Sequence, residues 1–157
     1  MGSSLILIVQ IFCLAIWIGG SAVILLLVTP EIFGQIADRG HAGKLAGAIL
    51  EKFRALLLVA GFILGITVWI QLIALGPAIA LRLRLVLMLV SLSILIEAYV
   101  RFGVSNRMRG ILAQSSESEI LARKDEFIKL HKRSMRSFLL NLFIGIAVVI
   151  TLVMPSS

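Results

Sequence analysis

Cysteine occurs once, at Cys13, so the chain can close no internal disulfide and its redox compartment is left unconstrained. Acids are scarce too: eight Asp and Glu stand against fifteen Lys and Arg, giving a net charge of +7. There are no paired carboxylates, no phosphate loop, no H-E-x-x-H, no C-x-x-C and no nucleophile elbow. Hydrolytic, phosphoryl-transfer and thiol chemistry need such sets, so a soluble type of enzyme is excluded and a membrane enzyme acting on lipid or quinone has no support. The interleaved aromatic and basic residues of a nucleic-acid surface are missing as well. The basic balance therefore points to membrane orientation and anionic lipid, with no nucleic acid. Internal repeats and low-complexity segments are also lacking.

Apolar residues are what the chain has in excess. They make up 60% of it, with a mean hydropathy of +1.09, where soluble domains sit near ~45–50%. They gather in four stretches. Leu5 to Val28 carries no charge over 24 positions, enough to cross a hydrocarbon core of ~30 Å at ~1.5 Å per residue. Pro30 is expected to end it, because a proline pushes the preceding residue out of helix. The run is too long for a signal-peptide core and no small-residue cleavage site follows, so it reads as a retained helix; position six is Ile6, not the Ser or Thr that N-myristoylation needs there. Residues 55–75 form a second run, closed by Gly76-Pro77. The third, 82–100, has Arg82 and Arg84 at one end and Glu97 near the other, and the fourth, 138–154, holds Asn141. Only helices satisfy their own backbone in lipid as isolated segments. The expectation is an all-α, four-span membrane bundle forming one domain over residues 1–157.

Thirteen of the fifteen Lys and Arg fall in the two connections 29–54 and 101–137, including Arg54; the other two are Arg82 and Arg84. The positive-inside bias puts those connections in the cytoplasm and both termini outside. Residues 40–54 are rich in helix formers, with Leu45, Ile49 and Phe53 spaced by four, and lie along the membrane face or run directly into the second span. The longer connection reads as a hairpin of two helical extensions, with a capping box at Ser116–Glu119 opening the second arm. Multi-pass insertion in a bacterial inner membrane follows, with anionic lipid at the cytoplasmic face and membrane-protein partners or a homo-oligomer as further contacts.

Chemistry-bearing residues are few. Phe127, His131, Ser134, Phe138, Asn141 and Gly145 fall within one broad stripe. The stripe is either a polar pocket, with His131 and Asn141 handling a ligand or proton, or an interfacial histidine beside one interhelical hydrogen bond. Glu97, the one acid inside a span, pairs with Arg101 four residues on in an orientation-fixing salt bridge, or couples to a proton or cation. Ser93 lies a turn earlier. Cys13 and Trp17 share a face, and the methionines have no metal-binding spacing. His41 and His131 are the only histidines and so the only pair for a bis-histidine haem or a metal. Gly61 and Gly65 form a G-x-x-x-G packing motif.

Trp17-Ile18-Gly19-Gly20, Thr29-Pro30-Glu31-Ile32-Phe33, Ala42-Gly43, Phe53, Phe127-Ile128-Lys129-Leu130-His131, Ser134 and Asn141 follow one another in an order that resembles the domain of unknown function 4149 family. Its members include relatives of the animal transmembrane protein 205, which is linked to platinum-drug resistance. The similarity covers nearly the whole chain. It implies a four-helix membrane protein and points to Trp17, Gly19, Gly20, Pro30, Phe33, His131, Ser134 and Asn141. More distantly the chain is similar to copper-resistance D and HemJ-type membrane proteins, whose histidines hold haem; here no histidine lies within a span. Three functions stay open: a non-enzymatic transport or accessory factor for a metal, cofactor or small solute; a structural subunit docking through Gly61, Gly65 and the hairpin; and a haem-binding redox protein.

Overall fold

A computed structural model describes residues 2–74, 77–113 and 124–153. Four helices account for nearly all of them: α1 (residues 2–35), α2 (Arg39–Ala74), α3 (residues 77–113) and α4 (Lys124–Val153). Each contains a stretch long and apolar enough to cross a membrane. The chain is a multi-pass membrane protein, and its four apolar helices form the expected bundle.

Period-3.6 burial organises the interior. Inward positions follow steps of three and four: Arg54, Leu57, Gly61, Leu64 and Val68 on α2, and Leu83, Val86, Val90, Ser93, Glu97, Val100 and Val104 on α3. On α4 they are Ser134, Phe138, Asn141, Ile144 and Val148. The outer faces are apolar instead, with Phe12, Leu26, Phe62, Leu95 and Phe143 all exposed. Polar groups inside and hydrocarbon outside is the distribution that lipid favours.

Neighbouring helices are antiparallel, as cross-helix contacts show. Gln10, early in α1, donates to Gln71, late in α2, at 2.9 Å. Arg54 meets Glu97 across α2 and α3, and Arg82 donates to the Thr151 carbonyl across α3 and α4. The ring closes where α1 packs against α4. Gly61 and Gly65 let α3 approach α2: a Cβ on Gly61 would lie 3.1 Å from Ile94, and one on Gly65 3.7 Å from Val90. The G-x-x-x-G face is thus covered by the chain's own third span, which removes it as a docking surface for another subunit.

One local expectation is corrected. Pro30 does not end the first helix, which continues through Thr29–Gln35. The preceding turn, Ile24–Val28, is π-helical, and Thr29 N–H reaches back five residues to the Ile24 carbonyl. A widened turn accommodates the ring and the missing N–H that would break a regular helix. A second π-helical stretch, Ala15–Gly19, carries Trp17. The chain turns at Ile36, which is extended. Asp38 then starts α2: its Oδ1 accepts from Gly40 N–H at 2.8 Å and its carbonyl from Ala42 N–H at 2.9 Å.

Of the two readings of residues 40–54, the one realised is a direct run into the second span. The 36 residues of α2 extend about 54 Å, well beyond a ~30 Å hydrocarbon core. Helices α3 and α4 likewise run past their apolar stretches, to Ala113 and from Lys124. The capping box at Ser116–Glu119 lies outside the described residues.

Candidate functional site

The interior is not uniformly apolar. Arg54 enters from α2 with a side chain only 2% exposed, and Glu97 faces it from α3 at 1%. Arg54 Nη1 donates to Glu97 Oε2 at 2.8 Å. Its Nη2 donates to the Ser134 carbonyl at 2.7 Å and to Ser134 Oγ at 3.3 Å. The other carboxylate oxygen, Oε1, accepts from Asn141 Nδ2 at 2.8 Å, and Asn141 Oδ1 accepts from Ser93 Oγ. Trp17 joins from α1, its indole N–H donating to the Asn141 carbonyl at 3.1 Å. One connected network therefore takes groups from all four helices.

Apolar neighbours hold these groups in place. The guanidinium carbon of Arg54 lies 5.5 Å from the centre of the Phe138 ring, a cation–π contact. Phe53 packs edge-on against the same ring, centroids 6.2 Å apart. Phe53 in turn fills the space over Gly20, where a Cβ would lie 2.6 Å from its ring. Gly145 gives Trp17 the same clearance, at 3.2 Å from the indole nitrogen. Gly19, by contrast, faces open space. Pro30 is exposed and Phe33 half-buried on the last turns of α1.

Four of the residues singled out from the sequence come together here: Glu97, Ser134, Asn141 and Trp17. Two do not. His131 is exposed and stacks on Phe127, ring centroids 6.5 Å apart. The inward stripe of α4 runs through Phe127, Leu130, Ser134 and Phe138, and the next residue after Leu130 is turned by about 100°. Arg101 is half-buried in a cleft with Ala48, Glu51, Lys52 and Ala55. The expected Glu97–Arg101 pair is therefore corrected to Glu97–Arg54. Glu97 points into the bundle, where a carboxylate needs a charged donor that also faces inward, and Arg54 supplies it from the neighbouring helix.

Sequence reasoning missed Arg54 by counting it with the charges of a connection. A signal was present: it stands at the head of the 3-4 stripe Leu57, Gly61, Leu64 and Val68, and Glu97 demands a cation at that level. Gln10 and Gln71, which join α1 and α2 at the far end of the bundle, were missed as well.

A haem held between histidines does not fit. His41 and His131 are both exposed, and the interior beside Ser134 is filled by Arg54 and Phe138. Among the described residues no three His, Cys, Asp or Glu side chains gather as a metal ion would need.

Residues 12–117 match the family model described as Domain of unknown function (DUF4149). The chain belongs to that family. The DUF4149 match contains Trp17, Arg54, Ser93 and Glu97 and ends before Ser134 and Asn141, so the network draws on matched and unmatched parts of the chain. No curated protein and no solved structure matches this DUF4149 chain.

Replacing Arg101 by Leu, or His131 by Ala, is expected to change stability by less than about 0.5 kcal/mol, as at other positions without a buried partner. Asn141→Leu should cost about 1–3 kcal/mol, because it removes a donor from a buried carboxylate. Equilibrium unfolding in mixed micelles measures all three; a loss at Arg101 matching that at Asn141 would restore the intrahelical pairing.

Proposed function

We propose that this DUF4149 protein is a non-enzymatic transport or accessory factor for a small polar solute, working through the Arg54–Glu97–Asn141 centre from the cytoplasmic end of the bundle. The supporting observation is the pair itself. Ionisable residues within spans are costly and characteristically mark ligand or ion pathways, and this one has functional capacity to spare. Arg54 Nε is buried and finds no acceptor among the described residues, while Ser93 and Ser134 place hydroxyls on either side. A centre with one cation, one anion and neutral donors suits a small solute carrying both donor and acceptor groups.

The reading includes an orientation. The ends of α3 and α4 beyond Glu97 and Ser134 carry the basic residues, against Arg82 and Arg84 at the opposite end. With Arg54 inside the bundle, the bias is twelve to two, still strongly in favour of cytoplasmic connections and outer termini. Glu97 lies fifteen residues from Arg82, about 22 Å along the helix, so in this orientation the pair belongs to the cytoplasmic half of the membrane. A bacterial inner membrane is the setting this orientation describes.

Two measurements follow. A fluorescent protein fused after α4 should stay dark while alkaline phosphatase at the same place is active; the reverse pattern would invert the orientation. Thermal unfolding of purified protein against divalent metals, amino acids and small carboxylates should show stabilisation by one class, about 2.7 kcal/mol at a hundredfold excess over Kd. The stabilisation should vanish in a folded Glu97→Gln variant. No shift with any of them, and isolation in fixed stoichiometry with other membrane proteins, would favour a structural subunit instead.

A further inference from the structure

We propose that the cleft between α2 and α3, one turn beyond the buried ion pair, is a binding site for the phosphate of an anionic phospholipid headgroup. Ala48, Glu51, Lys52, Ala55 and Arg101 line it, around a volume of about 310 Å³. That is at the lower end of small-ligand sites, large enough for a headgroup and open on one side for the acyl chains to leave.

Its charge is what selects the ligand. Glu51 is already engaged, its Oε1 3.3 Å from Arg109 Nη1, so the one carboxylate of the cleft is offset. Lys52 and Arg101 form no ion pair or hydrogen bond with any other described residue. Among the described residues, then, Lys52 and Arg101 are two cations of the cleft without an anionic partner. Ala48 and Ala55, seven residues apart, fall on one face of α2 and keep the recess between the cationic side chains shallow and unobstructed.

Position selects a lipid over a free anion. Lys52 precedes the buried Arg54 by two residues and Arg101 follows Glu97 by four, so the backbone of each lies within about 6 Å, along the axis, of the ion pair's level, where the apolar spans begin. Below that level the adjoining outer face of α2 is apolar, with Leu56 and Val59 exposed. Phosphate at the cations and acyl chains along those side chains satisfies both halves of the surface. Basic clefts between membrane helices on the cytoplasmic side recognise headgroups in this way.

Native mass spectrometry of the full chain released from nanodiscs tests the site, with phosphatidylglycerol and phosphatidylcholine in equal amounts. Wild type should retain phosphatidylglycerol at least about fivefold over phosphatidylcholine. Lys52→Gln/Arg101→Gln should lose that preference, while Arg107→Gln/Lys129→Gln, which removes the same charge from exposed positions elsewhere, keeps it. Thermal unfolding confirms that both variants are folded. Equal loss in the two double variants would overturn the site, as would no preference in wild type. Stabilisation by inorganic phosphate equal to that by the lipid would show that the acyl chains contribute nothing, and would overturn the lipid assignment.

Discussion

One almost wholly buried ion pair constrains the rest of this bundle. Arg54 and Glu97 can be left there only if every charge has a partner close by, since removing one member of such a pair costs about 3–5 kcal/mol against a total stability of about 5–15 kcal/mol. The surrounding residues read as consequences of that requirement. Ser134 accepts from the second guanidinium nitrogen, Asn141 donates to the second carboxylate oxygen, and Ser93 satisfies the amide oxygen of Asn141. Gly20, Phe53 and Phe138 form a stack that supports the guanidinium from the side.

The pair also fixes register. In lipid no hydrophobic force discriminates one sliding position of a helix from another, and hydrogen bonds and close packing take over that role. Arg54 aligns α2 with α3 and α4, Trp17 aligns α1 with α4, and the Gln10–Gln71 bond aligns α1 with α2 at the other end. Between these polar layers lies an apolar middle of Cys13, Leu64, Val68, Val86, Val90, Ile144 and Val148. The interior thus has two polar layers separated by an apolar one.

Much of this was legible in the sequence, for a plain reason: four long apolar runs in lipid have one solution. Of the stripe Phe127, His131, Ser134, Phe138, Asn141 and Gly145, which followed from helical spacing alone, all but His131 lie on the face that α4 turns inward. Partner choice was less visible. Local spacing offers Glu97 its own neighbour Arg101, whereas the actual partner is 43 residues away and is revealed only when α2 and α3 are laid antiparallel. The course of α1 past Pro30 was hidden too, because a widened turn leaves no mark in composition. His131 illustrates the limit of stripe arguments: within one turn of the correct face, a one-residue offset separates a buried group from an exposed one.

The claim that the Arg54–Glu97 pair organises this interior is tested most directly by a double-mutant cycle of Arg54→Met and Glu97→Met, read by equilibrium unfolding in mixed micelles. Each single change should cost about 3–5 kcal/mol, since it strands a buried charge. The double change should cost much less than their sum, with a coupling of at least about 2 kcal/mol. Losses that add to within about 0.5 kcal/mol would show that the two residues act independently and would contradict the account.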